Sequence, residues 1–522
     1  MSTRRIAIYD TTLRDGTQGE GFNLSLEDKL QIAIRLDELG VDYIEGGFPI
    51  SNPKDEAFFR EIRTHKLKHA KIAAFGMTRR RATKAIDDPG QRALLAAETP
   101  VVTIVGKTSP FQVQNVMSVT LDENVAMIGD SVRLMHEAGR EVVYDAEHFF
   151  DAFRSDREYA LRTLMAAQEA GASVLCLCDT NGGAMPEQIA EAIAAVRERT
   201  SVVIGIHPHN DGGVAIANGL AGIRAGADHA QGTMNGVGER CGNMDLIPLI
   251  ANLRLKYGLD CLQADTLPKL TETSRYVYEL ANVNLNPGQP YVGSSAFAHK
   301  GGMHVHAVQK DASTYEHVNP ESVGNSRKIL VSELSGASNI AAKLGKKFGI
   351  EQDKDALRRV LARVQELENE GFQFEAAEAS FELLLRRELG HYKPSFELEH
   401  YRLVLERDGT VVENAEATVK LRIGDVVEHR VADGDGPVDA LNRALRRALR
   451  PHRPSVADVH LIDYKVRVIN SRDESASKVR VVATFRRPGN DYFGTIGVSS
   501  NVVDASWQAI VDAYDYHLNH EA

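Results

Sequence analysis

A chain of 522 residues with a hydrophobic fraction of 43% is too long for one ordinary domain and rich enough to bury several cores. Its net charge of -11 speaks against a nucleic-acid surface, and no run approaches the roughly 20 apolar residues of a membrane span. Met1 to Arg5 leads into no signal-peptide core, so a soluble, cytoplasmic protein acting on small metabolites is expected, with neither nucleic acid nor membrane as partner.

Short apolar, β-branched runs recur from the start of the chain: "IAIYD", "DYIEGGFP", "KIAAFG", "VVTIVG", "EVVYDAEHF", "SVLCLCDT", "VVIGIHPHN" and "HAQGTMNG". Between most of them lie stretches with helical spacing, such as "SLEDKLQIAIRLDELG" and "MPEQIAEAIAAVRERT", the second opening with a proline that a first helical turn tolerates. Alternation of strand and helix implies a parallel sheet. Eight units over residues 1–265 fit a closed (β/α)8 TIM barrel better than an open doubly wound sheet.

In such barrels chemistry gathers at the C-terminal ends of the strands. Polar residues follow the apolar runs here: Asp10, Arg14 and Asp15 after the first, Glu45 within the second, Glu147 and His148 after the fifth, Asp179 and Thr180 after the sixth. His207 and His209 stand at the seventh, and Asn235 and Glu239 follow the eighth. Each alone fits a loop-satisfying residue as well as a functional one. Together, aimed into one mouth, they imply a cation or a charged ligand that offsets their desolvation. In "GIHPHND" His207 and His209 point the same way on an extended strand, so two imidazoles reach one cation, with Asp15 as an anionic third ligand. Two nitrogens and one oxygen suit Zn, Mn, Fe or Co. The other reading is a pair of core histidines bonded to backbone. Four cysteines (Cys176, Cys178, Cys241, Cys261) make no disulfide framework, and Cys176 with Cys178 reads as packing before metal binding.

After the barrel, residues 266–325 carry the Pro/Gly-rich "NLNPGQPYVGSSAF" and then a His/Tyr segment, a joining subdomain. Residues 326–390 read as amphipathic helices, including "KDALRRVLARVQELENEG". From 391 to 522 the pattern turns to strands followed by a helix, twice, with "VDA" at each helix entry. The expected fold is thus α/β: a TIM barrel, a helical joining region and a duplicated C-terminal α+β domain.

"YDTTLRDGTQ", "HPHND", "GVGERCGN" and "HKGGMHVHAV", in that order, resemble the family of aldol-type acyl-CoA synthases and lyases with a D-x-T-L-R-D-G-x-Q signature on a metal-binding barrel. Its members include 2-isopropylmalate, homocitrate and citramalate synthases and hydroxymethylglutaryl-CoA lyase. The resemblance implies Asp15, His207 and His209 as ligands of a divalent ion (Mn, Zn, Mg or Co), with Asn243 as a fourth, direct or through water. It implies Arg14 on the oxo acid, Glu147 near the acetyl group and Thr180 on the substrate carboxylate. It implies further that His304 and Tyr315 enter the partner subunit's site in a homodimer. The C-terminal domain is then expected to dimerise and bind the end-product amino acid, isoleucine, dimerisation alone being the other reading.

Within the family, "YDTTLRDGTQGEG" resembles the long citramalate synthases; isopropylmalate synthases carry Glu where Thr17 stands. That implies acetyl-CoA condensing with pyruvate to (R)-citramalate, with 2-isopropylmalate synthesis from 2-oxoisovalerate as the alternative and a retro-aldol lyase or an idle amino-acid sensor behind it. Such a reaction removes a weakly acidic methyl proton and builds charge on oxygen, which a Lewis-acidic cation and Arg14 would stabilise. The base is either Glu147 or His304 with Tyr315. Met77, Ile104 and Tyr144, near the ends of the third to fifth strands, are expected to close a pyruvate-sized pocket; ordinary barrel packing is the competing reading. "GTMNGVGERCGN" lacks the βαβ setting of a dinucleotide fingerprint and reads as a close-approach loop. "TRRRATK" reads as a solvated loop before it reads as a cradle for CoA phosphates.

Overall fold

The structure, a computed structural model, describes residues 4–263, 265–281, 283–299, 302–329, 353–374, 377–408, 411–469, 477–488 and 491–521. Eight parallel strands close a barrel in chain order: β1 (Ala7–Asp10), β2 (Tyr43–Gly47), β3 (Lys71–Met77), β4 (Val101–Lys107), β5 (Glu141–Glu147), β6 (Val174–Asp179), β7 (Val203–Pro208) and β8 (His229–Gly232), with β1 paired to β8. The apolar runs of β3, β4 and β6 reflect burial on both faces. Helices between successive strands form the outer layer. The first, Leu26–Leu39, starts at Ser25, whose hydroxyl accepts from the Asp28 amide while Asp28 accepts from the Ser25 amide, and ends at Gly40 in the left-handed region.

Alternation along the strands sorts the two faces. Tyr9, Ala73, Val101, Val143, Val174 and Cys176 fill the barrel interior. Ile44, Ala74, Val102, Ile104, Tyr144 and Ala146 join the larger core beneath the helices.

The chain divides into two compact units. One comprises 1–297 with 318–326, so most of the passage after the barrel belongs with it; helix Leu270–Leu280 packs on helix Leu26–Leu39. The other comprises 298–317 with 327–522. The joining subdomain expected over 266–325 has residues in both units, its His/Tyr segment grouping with the second. Part of the expected helical stretch, 330–352, lies outside the described residues; helices Lys354–Glu370 and Glu378–Glu388 are present.

The C-terminal duplication is built as two three-stranded antiparallel sheets, each followed by a helix. Glu397–Asp408, Val411–Ile423 and Val426–Gly434 precede Pro437–Leu449; His460–Val468, Val479–Arg487 and Asp491–Ser499 precede Val502–Glu521. The sequence repeat showed only the last two strands of each unit. Ala440, Leu441, Ala444, Leu445 and Ala448, at helical spacing, bury one face of the first helix. Among the described residues no helix is long and apolar enough to cross a membrane.

Candidate active site

β1 ends at Asp10, whose carboxylate accepts from the Thr12 amide and hydroxyl and so folds the turn that carries Arg14 and Asp15. Asp10 is structural, and burial pushes it up to about 7. Arg14 lies back over the barrel. Its Nε donates to Glu45 Oε1 at 2.6 Å, its guanidinium stacks 3.9 Å from the Phe75 ring centre, and Nη1 lies 3.4 Å from Asp15 Oδ1. Glu45 is fully buried and accepts on its second oxygen from the Tyr9 hydroxyl at 2.7 Å. The arginine is therefore held in place without any contribution from substrate.

His207 and His209, on and just beyond β7, stand with ring centres 5.3 Å apart, and His207 Nε2 lies 3.2 Å from Asp15 Oδ2. One ligand atom each of Asp15, His207 and His209 falls within 4.8 Å of the others, and all three residues are buried. Burial opposes charge on these groups, yet the Arg14 cation and the His207 hydrogen bond hold Asp15 well below the usual carboxylate range. His207 is carried up to about 10 against burial by its bond to Asp15, and burial together with the charge on His207 presses His209 down to about 4. An anion, one cationic and one neutral imidazole at this spacing form a proton-occupied version of a cation site.

The donor set passes a further test. His209 Nδ1 and Asn243 Oδ1 are buried and find no hydrogen-bond partner among the described residues. Asn243 is bridged to His209 across the "GVGERCGN" loop, whose Gly242 sits at φ 86° with the Gly236 carbonyl oxygen 1.9 Å from where a Cβ would lie. That loop is a close-approach loop, held by Asn210 and Met244 amides donating to Gly242 and Pro208 carbonyls. Two imidazoles, a carboxylate and an amide oxygen with unspent lone pairs fit a divalent ion.

Glu147 at the end of β5 is ion-paired with Lys107 at 2.6 Å. Thr180 accepts the His148 amide on its hydroxyl at 2.8 Å, pinning the turn after β5 to the turn after β6. Met77, 48% exposed, lines a groove of about 590 Å³ with Phe48, Ile50, Arg80 and Arg81. All three arginines line the groove, but Arg79 is buried in ion pairs with Glu123 and Asp130 while Arg80 and Arg81 are exposed.

Ile104 and Tyr144 are corrections. Paired in register, they point outward under the helices, where a Cβ on Gly106 would strike the Tyr144 ring and Ile128. They are packing residues and do not line the mouth. The inward partners one residue on are Val105 and Asp145, and a shift of one residue exchanges every face of a strand. Asp179, Asn235 and Glu239 serve the loops: Asp179 accepts from the Ala184 amide, Asn235 donates to the Ser274 carbonyl, and Glu239 pairs with Arg240. Asp145, Cys176 and Cys178 also converge, but burial pushes the Cys176 thiol up and favours packing over a thiolate ligand.

In the second unit His304 and Tyr315 stack with ring centres 4.2 Å apart, Tyr315 being 49% exposed. His299 instead bonds Glu316 at 3.0 Å, beside Arg327, and His306 is exposed. The sequence reading missed Phe75, Lys107 and Gln231, and gave Glu45 no partner. Strand alternation extended through each apolar run would have put all four on the inward face.

Residues 5–277 match the HMGL-like family, 291–371 the homocitrate synthase post-HMGL domain-like family, and 375–518 the LeuA allosteric (dimerisation) domain. The chain is 49% identical to an (R)-citramalate synthase of Aquifex aeolicus and 48% identical to one of Geobacter sulfurreducens, each over 98% of both chains. It is 32% identical to a 2-isopropylmalate synthase of Heliobacterium modesticaldum, over 98% of this chain and 96% of that one. With this barrel, this constellation at its mouth and full-length likeness, the chain belongs to the (R)-citramalate synthase family.

Proposed function

We infer that this chain condenses acetyl-CoA with pyruvate and hydrolyses the thioester, releasing (R)-citramalate and CoA, a step toward isoleucine. The observation that carries the reading is the convergence of Asp15, His207 and His209 beside a preorganised Arg14, in a chain nearly half identical to (R)-citramalate synthases over its whole length.

Asp15, His207, His209 and Asn243 would hold a divalent ion, Mn, Zn, Mg or Co. When bound, that ion supplies Lewis acidity toward the carboxylate and ketone oxygens of the oxo acid. Arg14 offers fixed positive charge where the alkoxide develops, and its bond to Glu45 means no reorganisation accompanies the reaction. Thr180, at the same mouth, binds the substrate carboxylate. Glu147, ion-paired with Lys107, and the His304–Tyr315 pair are the two bases for the methyl proton. The groove beside Met77 offers an apolar wall and the Arg80 and Arg81 cations to the CoA chain and its phosphates.

The chain works as a homodimer in which His304 and Tyr315 complete the partner subunit's site, and isoleucine acts through the C-terminal domain. We divide it into a catalytic barrel over 1–265, a joining region to 390 and a regulatory domain from 391.

Thiol release from acetyl-CoA tests the reading, run with pyruvate, 2-oxoisovalerate, 2-oxoglutarate and no oxo acid. Fastest release with pyruvate is expected. Fastest release with 2-oxoisovalerate would replace the assignment by isopropylmalate synthesis, and release without any oxo acid would overturn condensation.

A further inference from the structure

Below the ligand set the barrel interior holds a buried polar cluster beside its apolar filling, and one side chain connects its parts. Gln231, on β8, is fully buried. Its Nε2 lies 3.0 Å from Asp145 Oδ1 on β5 and 3.4 Å from His229 Nε2, and its Oε1 lies 2.8 Å from His207 Nδ1 on β7. An amide nitrogen has two hydrogens to give and its oxygen has none. The Asp145 carboxylate is an acceptor, so it takes an N–H and turns the amide oxygen toward His207. A flipped amide would set its oxygen against that carboxylate while offering nothing to the Nδ1 proton.

We propose that Gln231 is a positioning residue for the cation site: oriented by Asp145, it holds the proton on His207 Nδ1 and leaves Nε2 facing Asp15 as the ligand nitrogen. Three strands thereby agree on one ring orientation. Asp145 anchors the amide, the amide fixes the imidazole, and the imidazole meets Asp15 at 3.2 Å. Outer partners of metal-bound histidines act in this way, and their removal typically weakens binding about 10- to 100-fold. The inference rests on the metal-site reading above.

The test uses full-length protein stripped with chelator and titrated with Mn2+ alone, free ion being followed by electron paramagnetic resonance. A parallel set loaded with Co2+ is read by visible absorption. Gln231→Leu is expected to raise the Mn2+ dissociation constant about 10- to 100-fold and to alter the Co2+ spectrum, at a melting temperature that shows a folded chain. Gln231→Glu keeps an acceptor opposite Nδ1 and, 3.0 Å from Asp145, shares one proton with that carboxyl, so it is expected to bind close to wild type. Wild-type affinity in folded Gln231→Leu would overturn the relay alone. If Gln231→Leu does not fold, Gln231→Glu decides: binding as weak as His207→Ala overturns the relay. Failure of wild type to bind Mn2+ or Co2+ would sink the metal-site reading and the relay with it.

Discussion

Arg14 and Glu45 are joined by a 2.6 Å hydrogen bond in which the carboxylate is fully buried, with Tyr9 on its other oxygen. Removing one member of such a pair leaves a poorly compensated charge. Glu45→Gln keeps the shape and loses the charge, so the guanidinium is expected to drift. Steady-state kinetics with pyruvate should show kcat/KM lowered about 10- to 100-fold, the penalty of a misplaced catalytic group.

Asp15→Ala and His207→Ala each remove one ligand from the mouth, which lies above the core that stabilises the barrel. Both are expected to abolish condensation and bound metal while circular dichroism stays that of wild type. Retained turnover in either would count against the cation site.

Ile104 and Val105 are neighbours on β4 with opposite surroundings. Ile104→Ala is expected to lower stability by about 2–5 kcal/mol and leave substrate preference alone. Val105→Ala should enlarge the mouth, shifting the kcat/KM ratio of 2-oxobutyrate to pyruvate by about tenfold, the worth of one methylene in an apolar pocket. Chemical denaturation and paired kinetics separate the two.

His229 sits against the Tyr9 and Tyr43 rings, and burial with the nearby charge on His207 presses it down to about 3. Below about pH 6.5 the unfolded chain takes up a proton that the native state refuses until about pH 3. This contribution is whole above pH 6.5 and shrinks as pH falls toward 3. The unfolding free energy from urea titrations should fall more steeply for wild type than for His229→Gln, the excess slope being about 1.4 kcal/mol per pH unit between pH 6 and 4.

His304 stacks on Tyr315 in a unit other than the barrel's. If the pair completes the partner subunit's site, mixing inactive Asp15→Ala and His304→Ala homodimers, with subunit exchange, restores turnover in the heterodimers. Exchange without recovery would place both sets in one chain.

Much of this was legible in the chain itself. The eight apolar runs, the "HPHND" pair and the carboxylate after the first run are local patterns, and the barrel rule carries them to one mouth. Ile104 and Tyr144 were misplaced because position near a strand end says nothing of face. Glu45 stood in view, but its partner Arg14 is 31 positions away and joins it only once β1 and β2 lie side by side. The first strand of each C-terminal repeat escaped because "ELEHYRLVLERD" and "HLIDYKVRV" share too little to register as copies.

The order of elements, the barrel and the candidate ligand residues were legible in the sequence, because each shows in short local runs. The orientation of those residues was decided only by the tertiary structure. Inward or outward on a strand, proton on Nδ1 or Nε2, and free or clamped guanidinium all depend on what a distant strand places 3 Å away. Such neighbours exist only once the sheet has closed on itself.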